Sequence, residues 1–273
     1  MESTFKPRRV ESPSSILSYK QCPRKYYYQY IEHRPTSANI HTLRGNIVHE
    51  VLDKFFEHAP DLENDTYMEQ SVERIRKLFD RKWELSKMEF LSMGLNQESL
   101  RNHYVETLSM LSNWLNNFLV KLTSMPVPIN QAFRLLTPMR EQYFISENHN
   151  VKGYIDVIEH NKKDVRLMDY KTSSKSELTD EYRLQLSIYA LLYKEKYDKL
   201  PKEVGIYFLK HSADYEQTIP VTEDMLKDAQ FAIETHHMST VSNTISDYQK
   251  KESPLCRWFT GQCDFYKLCF GQK

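Results

Sequence analysis

Asp169 and Lys171 stand two positions apart at the end of the apolar run in "VRLMDYKT", and Asp156 lies within a second such run, "GYIDVI". Side chains alternate along an extended strand, so Val165, Leu167, Asp169 and Lys171 share one face. Carboxylates from adjacent strands of a hairpin are rigidly supported and can hold two oxygens at metal-bridging distance. Carboxylates and water are the ligands of Mg2+ and Mn2+, which neutralise an anionic centre and generate hydroxide from bound water. A lysine on the same face orients the attacking water or stabilises developing negative charge. The three residues suit metal-assisted hydrolysis.

The elements that must position them follow from hydrophobic period. "MREQYFI", "VKGYIDVIEH" and "DVRLMDYKT", separated by "SENHN" and "NKK", predict three consecutive antiparallel strands. "LTDEYRLQLSIYALLYKEKY" then has helical spacing behind Thr179 or Asp180 as N-cap, with Gln185 and Tyr189 four apart on one face. "EVGIYFLK" and "YEQTIPV" predict two more strands, and residues 222–248 a helix. Upstream, "SPSSILSYKQCPRKYYYQYIEH" predicts a short helix capped within Ser12 to Ser15 and interrupted at Cys22, just before Pro23. "LRGNIVHEVLDKFFEH" sets Ile47, Val48, Leu52, Phe55 and Phe56 at helical spacing. Amphipathic stretches continue from Met68 to Leu122, so 61–135 reads as a helical lobe.

A chain of 273 residues can bury one substantial core with an appended lobe. Hydrophobic residues at 40% and charged residues at 27% are a globular composition. Lysine plus arginine (37) equals aspartate plus glutamate (37), so any nucleic-acid partner must be met by a local basic groove and not by overall charge. No apolar segment follows the two N-terminal arginines and no run approaches membrane-spanning length. The expectation is a soluble, cytoplasmic protein with no membrane partner. Its thiols stay reduced, so cysteines are read as metal ligands before disulfides.

"GYIDVI", "LMDYKT" and "LQLSIY", in that order, resemble the core of the PD-(D/E)XK nucleases of the RecB and AddB type, a group that includes CRISPR adaptation nucleases and exonuclease V. "SYKQCPRKYYYQYI" resembles the N-terminal cysteine segment of the iron-sulfur members, and "RGNIVHEVL" resembles their Gly-x-x-x-His helix. The resemblance implies an α/β fold with a central mixed sheet flanked by helices. It implies Asp156, Asp169 and Lys171 as catalytic, with Gln185 and Tyr189 supporting the site and the DNA strand. His49 and Glu141 join the two aspartates as metal ligands for Mg2+ or Mn2+, imidazole favouring tolerance of Mn2+. Singly, each of these residues has an ordinary structural explanation. Together, in this order, they do not.

The same resemblance assigns Cys22, Cys256, Cys263 and Cys269 to a [4Fe-4S] cluster that staples the two ends of the chain, with zinc as the alternative. Six residues, "RWFTGQ", separate Cys256 from Cys263, where family members have two. Trp258, Phe259, Phe265, Tyr266 and Phe270 would form an apolar shell. Lys20, Arg24 and Lys25 flank Cys22 as a phosphate-binding patch or a solvated face. The resulting regions are 1–60, a cysteine segment with the histidine helix; 61–135, the helical lobe; 136–250, the nuclease core; and 251–273, the cluster segment. The implied activity is metal-dependent hydrolysis of DNA, as an exonuclease on single strands or frayed ends. A CRISPR adaptation nuclease and a non-catalytic DNA-binding scaffold are the alternatives. The sequence lacks Gly-x-x-x-x-Gly-Lys-Ser/Thr, so any unwinding falls to a helicase partner.

Overall fold

The computed structural model describes residues 9–57, 66–161, 164–212, 215–258 and 261–271. Helices α1 (Pro13–Gln21) and α2 (Pro23–Tyr26) lead through a π-helical turn, Tyr27–Ile31, to α3 (Ile40–Phe55). Helices α4 (Tyr67–Leu85), α5 (Lys87–Ser92), α6 (Gln97–Ser124) and α7 (Ile129–Leu136) follow. Strands β1 (Met139–Ser146), β2 (Val151–Asn161) and β3 (Asp164–Lys171) precede α8 (Asp180–Tyr197), β4 (Glu203–Phe208), β5 (Glu216–Pro220) and α9 (Glu223–Ser239). The chain closes with the small hairpin β6 (Arg257–Trp258) and β7 (Gly261–Gln262) and with α10 (Tyr266–Phe270).

The five-stranded sheet has the order β1-β2-β3-β4-β5. All neighbours are antiparallel except β3 and β4, which run parallel across the α8 crossover. Alternation along β3 and β4 sends two sets of side chains into separate cores, and on β2 the alternation breaks at Asp156, with Ile155 and Ile158 in the first core and Val157 in the second. Val165, Leu167, Ile155 and Phe144 pack with the fully buried middle of α8 and with α9. Val157, Met168, Tyr170 and Tyr207 pack against α3, α6 and α7. The helical stretch thus covers one face of the sheet through a shared apolar core.

Local chemistry explains the two helices nearest the sheet's active end. Asn39 caps α3 by accepting from the Thr42 amide at 2.9 Å. Its Leu43, Ile47, Val48, Val51, Leu52 and Phe55 form the buried stripe. Thr179 caps α8 with acidic Asp180 and Glu181 in the first turn, which favours the positive end of the helix dipole. The predicted helix over 222–248 is shorter than expected: α9 ends at Ser239, with Thr240 as its C-cap. The following "VSNT" is β-branched and turn-forming, and apolar residues there do not continue the buried stripe.

Candidate active site

The β2–β3 ladder stops at Val157 and Met168, one residue short of Asp156 and Asp169. Side chains take over the main-chain groups freed there. The Tyr170 amide donates to Asp156 Oδ2 at 2.9 Å, and the Tyr170 carbonyl lies 3.1 Å from His49 Nε2. The other imidazole nitrogen, Nδ1, is 3.4 Å from Asp156 and 3.6 Å from Glu141. Tyr170 is itself fixed, its hydroxyl accepting from Trp114 Nε1 at 3.2 Å.

Glu141 reaches this group through an unusual backbone. Its φ is 47°, the left-handed region, in the middle of β1. Arg140 and Gln142 keep their partners Val157 and Ile155, so no residue is inserted; a single residue is twisted opposite Asp156. Such a conformation costs a non-glycine residue roughly 1–2 kcal/mol and is found where function over-determines it. His49, Glu141 and Asp156 each offer a ligand atom within 4.8 Å of the others, the one such group among the described residues.

Asp169 and Lys171 face α8. Lys171 Nζ lies 2.6 Å from Asp169 Oδ2 and donates to Gln185 Oε1 at 3.2 Å. The Gln185 amide nitrogen donates to Asp169 Oδ1 and to the Tyr189 hydroxyl, both at 2.8 Å. Tyr189 can lie so close because β2 carries glycine beneath it: a Cβ on Gly153 would meet the Tyr189 ring at 3.1 Å. Asp169 stands outside the three-ligand group, and its buried Oδ2 has no hydrogen-bond donor beyond the Lys171 ion pair.

Charge is distributed unevenly over the site. Burial opposes ionisation of Asp156, but the His49 charge, Lys171 and the Tyr170 amide hold its carboxyl below the usual range. Burial opposes charge on His49 too, yet Asp156, Glu141 and Asp169 outweigh it and raise the imidazole to about 10. Burial pushes Asp169 up to about 6, Lys171 only partly offsetting it. Lys171 is raised despite burial by Asp169 and stays cationic. Burial and the nearby aspartates keep the Tyr189 phenol neutral.

Beside these groups opens a cleft of about 720 Å³ lined by Thr42, Gly45, Asn46, His49, Glu141 and Lys171, among others. Gly45 leaves the α3 backbone bare there, since a Cβ would meet nothing within 4 Å. Gly45 is the glycine of the Gly-x-x-x-His motif, whereas Thr42, Asn46 and Asp53, which also line the cleft, escape the sequence reading. Helical spacing from His49 is the signal that could have found them.

A profile of the PD-(D/E)XK nuclease superfamily matches residues 11–270. The chain belongs to this superfamily. PD-(D/E)XK nucleases are phosphodiester hydrolases that use divalent metals, and the His49, Glu141 and Asp156 group fits that requirement with hard oxygen donors and one imidazole. The fold agrees with a crystal structure of a candidate exonuclease from Eubacterium rectale, which is 11% identical with a TM-score of 0.51 over 97% of this chain and 94% of that one. No curated protein matches the sequence. Among the described residues no helix is long and apolar enough to cross a membrane.

The nuclease's four cysteines are free, half-buried, and line one cavity of about 920 Å³. Burial raises the Cys263 and Cys269 thiols, and Cys22 raises both further. The long spacer between Cys256 and Cys263 is accounted for by the β6–β7 hairpin. Arg257 pairs with Gln262, and the Cys263 amide extends the ladder to the Cys256 carbonyl at 2.9 Å. The hairpin pairing therefore keeps the two cysteine backbones together across the spacer. Of the expected apolar shell, Phe265 is buried, Trp258 is 49% exposed, and Phe259 lies outside the described residues. Of the basic residues near Cys22, Arg24 donates to the Tyr248 carbonyl at 2.7 Å and Lys25 to Gln21 at 2.9 Å.

Proposed function

We propose that the chain is a divalent-metal-dependent DNA exonuclease of the RecB and AddB iron-sulfur type, acting on single strands or frayed ends. The observation that carries this reading is the pairing of a three-ligand group, His49, Glu141 and Asp156, with the adjacent Asp169, Lys171 and Gln185 network at one cleft. Mg2+ or Mn2+ held by the first group, with Asp169 beside it, would supply charge neutralisation and an activated water. Lys171 stays charged against Asp169 and Gln185 and orients the attacking water or stabilises the negative charge that develops on phosphate. Gln185 holds Asp169 and Lys171 in mutual register, and Tyr189 holds Gln185. In this reading 1–60 carries one cluster ligand and the histidine helix, 61–135 the lobe, 136–250 the catalytic core and 251–273 the remaining cluster ligands. Unwinding is left to a partner.

The iron-sulfur assignment follows from the resemblance, with Cys22, Cys256, Cys263 and Cys269 lining one cavity as its proposed ligands and zinc as the alternative.

Single-stranded DNA labelled at either end tests the activity directly. Wild type with Mn2+ should cleave, and Asp169→Ala, Lys171→Ala and Asp156→Ala should each lose on the order of a hundredfold or more. Wild-type rates in the Asp169 or Lys171 variant would falsify the assignment.

A further inference from the structure

Two exposed tyrosines lie two residues from the metal-binding carboxylates of β1 and β2. Tyr143 and Tyr154 are register partners on β1 and β2, two residues beyond Glu141 and Asp156. Phe144 and Ile155 are buried in the core with α8. Their neighbours Tyr143 and Tyr154 therefore point to the opposite face, from which His49 meets Asp156. Helices α3, α6 and α7 cover Val157 and Met168 but leave this end bare: Tyr143 is 43% and Tyr154 58% exposed. Their ring centroids are 5.1 Å apart and inclined at 50°. The next pair along is exposed Ile145 opposite exposed Lys152. One face thus carries aromatic rings and, two residues further on, an aliphatic side chain and a cation, while on the other side of the rings the alternation breaks at Glu141 and Asp156.

We propose that Tyr143 and Tyr154 form a stacking platform for unpaired bases next to the phosphate being cleaved, with Lys152 meeting the strand's next phosphates. The proposal rests on the nuclease reading above and adds how the strand is gripped. Each two-residue step is about 6.7 Å, roughly twice the 3.4 Å rise of a stacked strand. The platform therefore suits splayed single-stranded bases and excludes a continuous duplex stack. Base–aromatic stacking tolerates any sequence, because every base has a π-face. Adjacency to the carboxylates and the positive charge of Lys152 single out a nucleic-acid strand as occupant, ahead of a second copy of the chain docking on edge strand β1.

The test uses fluorescently labelled oligothymidylate in EDTA, where no turnover competes, and a matched oligomer carrying abasic spacers. The double variant Tyr143→Ala/Tyr154→Ala should bind oligothymidylate on the order of ten- to a hundredfold more weakly than wild type. The abasic oligomer should bind both proteins alike, and Tyr143→Phe/Tyr154→Phe should restore stacking. Both rings are exposed, so melting temperature serves as the folding control. Equal affinity of wild type and the alanine variant overturns the platform, even in an enzyme that cleaves. Tyrosine-dependent binding without any cleavage by wild type overturns the nuclease reading and leaves the platform standing. A wild-type dimer that becomes a monomer in the alanine variant, with DNA binding unchanged, assigns the face to self-association and overturns it.

Discussion

His49 sits among three carboxylates and keeps its proton up to about 10, whereas metal ligation needs the neutral ring. If His49 is a ligand, then at neutral pH, well below that value, each metal ion bound displaces about one proton from it. Apparent affinity should climb with pH, by up to about tenfold per unit, until the imidazole deprotonates unaided, and should fall as pH drops. Calorimetric titration with Mn2+ in buffers of different ionisation enthalpy reads the proton count. A heat independent of buffer, or a His49→Ala variant that still releases the proton, would remove His49 from the ligand set. Side-chain chemistry of this kind is legible in sequence because strand alternation fixes where Asp169 and Lys171 point. Tyr170 was not legible. Its contribution is a main-chain amide and carbonyl, which every residue type carries.

At the scale of elements, β1 holds one residue in a conformation that strands avoid. Comparing Glu141→Gly with Glu141→Ala isolates that strain, since neither variant has a carboxylate. The glycine variant should be the more stable by about 1 kcal/mol, or roughly 2–4 °C in melting temperature for a chain of this size. A more stable alanine variant would mean that the strand is extended there in solution. Strands β1 to β5 were all readable from local period, and Thr179 was read as a possible cap of α8. Two things were not. The parallel pairing of β3 with β4 depends on contacts made only after α8 has crossed the sheet. The twist at Glu141 is imposed by its neighbours and not by its own preference.

The whole molecule is tied end to end. Cys22 lines one cavity with cysteines more than two hundred residues later, and Arg24 and Lys20 also meet the C-terminal segment through Tyr248 and Lys251. If an iron-sulfur cluster joins the four thiols, losing any one should cost similar stability, because the closed loop is opened wherever it is cut. Protein purified without air should be brown, contain iron and unfold at lower temperature in each cysteine-to-alanine variant. Zinc in place of iron would overturn the cluster while sparing the nuclease. The pairing of Cys263 with Cys256 predicts that the Cys256→Ala variant bleaches with the rest. The terminal cysteines were visible by resemblance. The hairpin that absorbs their long spacing was not, since two-residue strands leave no period to read.

Where β2 and β3 part, the Tyr170 amide hydrogen is in the keeping of the Asp156 carboxylate and not of a strand. A ladder amide such as that of Met168 exchanges with solvent only when the sheet opens, whereas a hydrogen held by a titratable side chain exchanges according to what that side chain is doing. The fold thus carries a built-in spectroscopic reporter. As Mg2+ or Mn2+ draws on the Asp156 oxygens, the deuterium uptake of Tyr170 should change at metal concentrations that leave Met168 untouched. Occupancy of the site becomes readable amide by amide, with no substrate present and no bond cut.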